Sequence, residues 1–172
     1  MSIADYKAAE ILRDGSSIAI RALRRDDGPG MLAAVGRTST QSLRRRFFVT
    51  KKGFSEREVA FFLNIDFENH VALVAEIDED GRPVIIGGGR YVVVQPGQAE
   101  IAFVVVDAYQ AKGLGTILMW HLAALAREAG LRELIAEVLP ENTAMLKVFR
   151  KFGFVSGPQR APQVVHLTLK LV

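Results

Sequence analysis

Residues 98–116, QAEIAFVVVDAYQAKGLGT, constrain this chain more than any other stretch. Residues 100–106 are β-branched or aromatic apart from Glu100 and Ala102, which fits a mostly buried strand carrying one acid near its start. A short polar turn follows, then Gly113 and Gly115 ahead of residues 117–128, a good helix sequence. Backbone amides at such a helix start, about residues 111–116, have no partner within the helix and point outward. With the positive end of the helix dipole they suit a pyrophosphate. Gly113 and Gly115 allow close approach of backbone to phosphate, and Thr116 adds a hydroxyl donor. Glycine before a helix also serves plain turn chemistry, so the pair alone leaves both readings open. Two better-known phosphate motifs are excluded: Leu114 and Thr116 flank Gly115 where a Walker A loop needs Lys and then Ser or Thr, and Leu118 stands where the dinucleotide fingerprint needs a small residue.

The 172 residues, 49% apolar and 24% charged, are expected to form one domain, 1–172, with a substantial core. No apolar run reaches the roughly 18 residues of a membrane helix, and the N-terminal residues carry acids and no hydrophobic signal segment. A cytoplasmic protein without membrane partners is expected. The absence of cysteine excludes disulfides, thiolate metal sites and an acyl-cysteine intermediate, and three scattered histidines offer no zinc spacing, so no metal is expected. A net charge of +3, with bases spread along the chain, suits a polyanionic small molecule as well as nucleic acid. Residues 43–52, LRRRFFVTKK, interleave bases with aromatics, but a solvated helix face beside a buried Phe47 or Phe48 accounts for them, and no nucleic-acid partner is expected.

Along the chain, a polar leader precedes a first strand at 17–23, and Asp26 or Asp27 is placed to cap a helix reaching about Val35. A second helix is expected at 40–47, and Ser55 with Glu58 forms a capping box for a third. Strands at 70–77 and 83–94 flank the turn residues 78–81 as a hairpin. Gly87, Gly88 and Gly89 precede no helix, so they mark a bulge or close packing. Pro96-Gly97 turns the chain into the central strand. The helix after Gly115 carries Leu114, Leu118, Leu122 and Leu125 on one face, and residues 134–139 then run parallel to the central strand as a β-α-β unit. Asn142 or Glu141 begins the last helix, Gly153 ends it, and 154–155 and 164–172 supply final strands.

Gln110-x-x-Gly113-x-Gly115 after a strand with an early Glu resembles the cofactor motif of the GCN5-related N-acetyltransferases (GNAT), where it holds the pyrophosphate and pantetheine of acetyl-CoA. The order of elements is similar to that fold over nearly the whole chain. The resemblance implies an α/β (α+β) class: a mixed, mostly antiparallel sheet, helices on both faces, and a β-α-β acetyl-CoA cradle. Two parallel strands would splay apart, and the main chain of Val104 and Val106 would pair with the pantetheine arm between them. Gln110, Ala111, Lys112, Gly113, Leu114, Gly115 and Thr116 would hold the pyrophosphate, and Asn142 would lie against the cofactor or simply cap its helix. More narrowly, LRDG with IRALRRDD, SLRRRFF, ID followed by HVALVAE, and AEVLPEN resemble the acetyltransferase domain of bacterial protein lysine acetyltransferases that regulate acyl-CoA synthetases. A nucleotide-binding or synthetase-like domain often fused in that group is not expected here, which argues against regulation by such ligands.

The resemblance implies an acetyl-CoA-dependent N-acetyltransferase, with direct attack in a ternary complex and protein lysine as the acceptor. A small-molecule amine acceptor and a non-catalytic acyl-CoA sensor are the competing readings, since acceptor specificity lies in residues 32–63 and 157–164, which spell out no ligand. Glu100 is the expected general base, with a structural role as its alternative, and the amide of Val104 would polarise the thioester carbonyl. Four strand residues span roughly 13 Å, so a water relay belongs to that mechanism. Many relatives carry a tyrosine that protonates the departing thiolate; Phe149 stands there and packs in the core instead. Acceptor, acyl preference and oligomeric state are left open.

Overall fold

The computed structural model describes residues 2–47, 54–157 and 164–172. Residues 48–52 of the basic–aromatic stretch and 158–163 of the expected specificity segment lie outside them, as does the burial expected of Phe47 or Phe48. Along the chain run β1 (Lys7–Ile11), β2 (Ser17–Ala22), α1 (Gly28–Gly36), α2 (Thr40–Phe47), α3 (Glu56–Leu63), β3 (His70–Glu79), β4 (Arg82–Gln95), β5 (Gln98–Val105), α4 (Leu114–Glu128), β6 (Glu133–Val138), α5 (Thr143–Phe152), β7 (Val155–Ser156) and β8 (Val165–Lys170). The strands make one open sheet in the order β1-β2-β3-β4-β5-β6-β8-β7, antiparallel except where β5 meets β6. The mixed sheet with helices matches the expected α+β class.

Local chemistry explains most of these boundaries. Asp80 and Gly81 both take positive φ, 54° and 81°, the conformation a two-residue hairpin loop needs between β3 and β4. Ser55 Oγ accepts from the Glu58 amide and Glu58 Oε1 from the Ser55 amide, both at 3.1 Å, closing the expected capping box on α3. β1 replaces the expected polar leader. KAAEI carries little strand propensity of its own, and its extended form comes from the ladder with β2, from Lys7 opposite Arg21 to Ile11 opposite Ser17.

The helices cover opposite faces. α4 buries Leu114, Leu118, Leu122 and Leu125, the stripe expected from the sequence. Its approach depends on a missing side chain: a Cβ on Gly89 would stand 2.6 Å from the Phe103 ring and 2.8 Å from Leu122 Cδ1. Phe103 also meets Phe149 of α5, centroids 5.8 Å apart, so α4 and α5 share this face. On the other face α1 packs on β4 and α2 on β5.

Asp27 does not cap α1 with its side chain, contrary to expectation, because its carboxylate is already committed. Both oxygens accept from Arg21 at 2.8 Å, and one also accepts the Arg24 amide at 2.6 Å. Arg21 adds Glu76 at 2.9 Å, so a nearly buried guanidinium is matched by two carboxylates. Burial pushes the Asp27 carboxyl up, but Arg21 and the Arg24 amide outweigh it and hold the group below its ordinary value. Its contribution is therefore present at neutral pH and lost as pH falls through the folded-state value. Asp27→Ala, which strands part of the Arg21 charge, is expected to lower unfolding free energy by about 3 kcal/mol at pH 7 in urea titrations, and by less in acid.

Candidate active site

β5 and β6 are neighbours for three residues only. Gln98, Ala99 and Glu100 pair in parallel with Glu133, Leu134 and Ile135, and past Glu100 and Ile135 the pairing stops. β5 stays on β4 up to Val105, while β6 stays on β8 up to Val138. A gap thus opens between two strands whose facing main-chain edges no longer pair with one another.

The register corrects the expected contacts of that edge by one residue. The Val106 amide donates to the Ile86 carbonyl at 2.9 Å, so it is committed to β4. Strand alternation turns the main chain of Val104, two residues earlier, the same way, leaving Phe103 and Val105 facing the gap. The Val105 carbonyl already accepts Gln110 Nε2 at 3.0 Å, which ties the turn after β5 to the strand. Val104 and Val106 instead offer their side chains to the opposite face of the sheet, where both line a cavity.

Above the gap the chain turns through Ala111 at φ 63° and Gly113 at φ 89°, and α4 begins at Leu114, three residues before the sequence suggests. Gly113 is the left-handed N-cap that permits this early start. The Ile117 amide returns to the Gly113 carbonyl at 3.1 Å, so the amides of Leu114, Gly115 and Thr116 are the open ones. A Cβ on Gly115 would meet nothing within 4 Å, which leaves clear space beside those donors for a phosphate. The edge hairpin braces the loop: the Arg13 amide donates to the Lys112 carbonyl at 3.1 Å, and Lys112 Nζ reaches Asp14 at 2.9 Å. Asn142 is the N-cap of α5, its oxygen accepting the Met145 amide at 3.3 Å. Phe149 is buried, 4.8 Å centroid to centroid from Phe154, in the core as expected.

Glu100 lies half-buried at the foot of the gap, on the face bearing α1 and α2. Burial raises its carboxyl, Glu137 raises it further, and Arg46 and His166 pull against both. Next to it, on the same face, is a cavity of about 80 Å3 floored by Gly88, Ala102 and Val104 and edged by Arg46, Phe62 and Arg90. Arg90 donates to the Phe62 carbonyl at 3.1 Å and to His70 Nε2 at 2.8 Å, and lies 4.7 Å from the Phe62 ring centre. A guanidinium only donates, so Nε2 accepts and the His70 proton sits on Nδ1. Burial and Arg90 hold His70 down to about 4, which keeps it neutral near pH 7. Burial also lowers Arg90 to about 9, and the Arg46 charge adds to this. None of Arg46, His70 or Arg90 was singled out from the sequence. The available signal was Arg90 itself, a charge inside the otherwise apolar run 84–94.

The profile of the Acetyltransferase (GNAT) family matches residues 38–154, about two thirds of the chain. The chain belongs to this family. It is 33% identical over 160 residues to acetyltransferase PA5475 of Pseudomonas aeruginosa, across 91% of this chain and 86% of that protein. Acetyltransferase Pat of Mycolicibacterium smegmatis is 31% identical over 121 residues, 68% of this chain but 35% of that longer protein. Among solved structures, the GNAT domain of S. lividans PAT superposes with a TM-score of 0.88 at 34% identity, covering 95% of this chain and 96% of that one. No helix among the described residues of this acetyltransferase is long and apolar enough to cross a membrane.

The two loop glycines answer to different demands, and stability measurements separate them. Gly113→Ala forces a left-handed φ on a side chain and is expected to cost about 1–2 kcal/mol in chemical unfolding. Gly115→Ala, in the first turn of α4 with open space around it, is expected to be neutral or to gain up to about 1 kcal/mol.

Proposed function

We propose that this acetyltransferase binds acetyl-CoA and transfers its acetyl group to lysine side chains of proteins such as acyl-CoA synthetases, by direct attack in a ternary complex. The observation that carries the acceptor class is the match to the GNAT domain of S. lividans PAT over nearly the full length of both chains. In this reading the pantetheine arm lies in the gap against the main chain of Phe103 and Val105, and the pyrophosphate meets the loop from Gln110 to Thr116. Asn142, whose oxygen caps α5, keeps an amide donor for the arm.

Glu100 is the general base. An acceptor lysine, with an ordinary value of about 10.4, arrives as ammonium and cannot attack until it loses a proton. Glu100 is the acid at the foot of the gap, and its raised pKa brings its basicity nearer the working pH. Phe103 rather than Val104 presents the gap-facing amide, so three strand residues, about 10 Å, separate base and thioester carbonyl. A bridging water still completes the transfer. The amine lone pair forms the C–N bond, the C–S bond breaks, and the thiolate leaves with its electron pair. Phe149 has no proton to give, and a thiol with a model value of about 8.5 departs tolerably near neutral pH without one.

A small amine acceptor is a second reading, and the cavity favours it: Arg46 and Arg90 edge a pocket whose size and charge suit a compact molecule bearing a carboxylate. Transfer from acetyl-CoA to a panel of folded acyl-CoA synthetases, lysine peptides and small amino acids decides between them. Acetylation of folded protein alone supports the lysine reading. Tight acetyl-CoA binding with transfer to none of them supports a sensor. Within an active pair, Glu100→Gln is expected to lower turnover by about 10² to 10⁴ with acetyl-CoA affinity unchanged, and near-full turnover would assign Glu100 to structure.

A further inference from the structure

On the face that carries Glu100, the far bank of the gap holds a second pair of titratable groups. Glu100 is opposite Ile135 on β6, and Glu137 is two residues further along that strand, so both acids point to the same face. Strand spacing and rise put their Cα atoms about 8 Å apart before any splay, within reach of two glutamate side chains and one water. Glu137 is opposite His166 on β8, and His166 Nδ1 stands 3.5 Å from Glu137 Oε1. Both side chains are partly open to solvent, 39% and 34% exposed. Glu100 is thus the inner member of a chain of acid, acid and imidazole that leads from the foot of the gap to water.

We propose that Glu137 and His166 are positioning residues for Glu100, forming the route by which the proton it takes from the acceptor ammonium leaves for solvent. The inference rests on Glu100 being the base. The proton passes from Glu100 through one water to Glu137, which hands it to His166 Nδ1; the ring releases its Nε2 proton to bulk water and regains its starting tautomer by exchange with solvent, and Glu100 returns to its carboxylate. Only protons are transferred, and no further reactant is needed.

Among the described residues, the charges facing Glu100 come from three elements: Arg46 on α2, Glu137 on β6 and His166 on β8. The two neighbours act on Glu100 with opposite sign through charge alone, and a relay adds a fall in kcat at pH values where Glu100 is already ionised, which a merely structural pair would not produce. Glu137→Gln removes a negative neighbour and is expected to move the Glu100 titration, and the acid limb of kcat/KM, to lower pH by roughly half a unit or more. His166→Gln removes a group that pulls the Glu100 carboxyl down and is expected to move both the other way. The Glu100 carboxyl is followed by 13C NMR in glutamate-labelled protein, with the Glu100→Gln variant assigning the signal, and transfer by the acceptor found active in the panel. Each relay variant is also expected to lower kcat about tenfold at unchanged acceptor KM. Identical Glu100 titration in all three proteins overturns the proposal. So does wild-type kcat in both variants alongside a crippled Glu100→Gln, which leaves Glu100 as the base and removes only the relay. Full activity of Glu100→Gln overturns both.

Discussion

The parting of β5 from β6 after Glu100 and Ile135 is the constraint on which the rest depends. A sheet normally pairs every main-chain group at its interior, because an unpaired buried amide or carbonyl costs as much as a lost hydrogen bond. Here each strand is held on its outer side, β5 by β4 and β6 by β8, so neither can swing to close the gap. The unpaired edges stay tolerable because they face a slot that a ligand backbone can enter. In the function proposed above, an amide-bearing pantetheine arm would satisfy them as a missing strand would, giving affinity without any special side chain.

Charge is distributed unevenly around that slot. On the near bank two guanidiniums sit among apolar side chains, with Arg90 meeting a carbonyl, a neutral imidazole and an aromatic face. On the far bank are an exposed acid and a histidine. Glu100 lies between them, raised by burial and by one neighbour, lowered by two others. Its basicity is therefore a balance of opposed influences from separate elements, so small shifts of α2 or β8 would retune it.

How far the sequence speaks follows from the range of the interactions involved. The capping box at Ser55, the hairpin turn at Asp80-Gly81, the buried stripe of α4 and the loop glycines are all set by residues within a few positions of one another, and each was legible. β1 was not, because KAAEI becomes a strand only by lying beside β2. Asp27 looked like a cap because its competing partner, Arg21, gains its second carboxylate from Glu76, 55 residues away. The identity of the gap-facing amides slipped by one residue for a similar reason. Spacing along β5 fixes which groups alternate, but only the bond from Val106 to Ile86 on the neighbouring strand says which set faces inward. Arg46 and Arg90, far apart in the chain, become one pocket only through the packing of α2 and α3 on the sheet.

The brace between the edge hairpin and the loop before α4 has a kinetic meaning. Lys112 and Asp14 are 98 residues apart in sequence, yet together with the bond from Arg13 they hold the loop in its left-handed course. A loop fixed in this way has surrendered its freedom during folding rather than at each encounter with a ligand, so little ordering entropy is left to oppose capture. For the phosphate site proposed above, residence would then be set by the strength of the contacts and not by the waiting time for a flap to lift. The hairpin that supplies this stiffness lies outside residues 38–154, the part the family profile matches. The shared segment provides the donors, and a peripheral strand pair governs how rigidly they are presented.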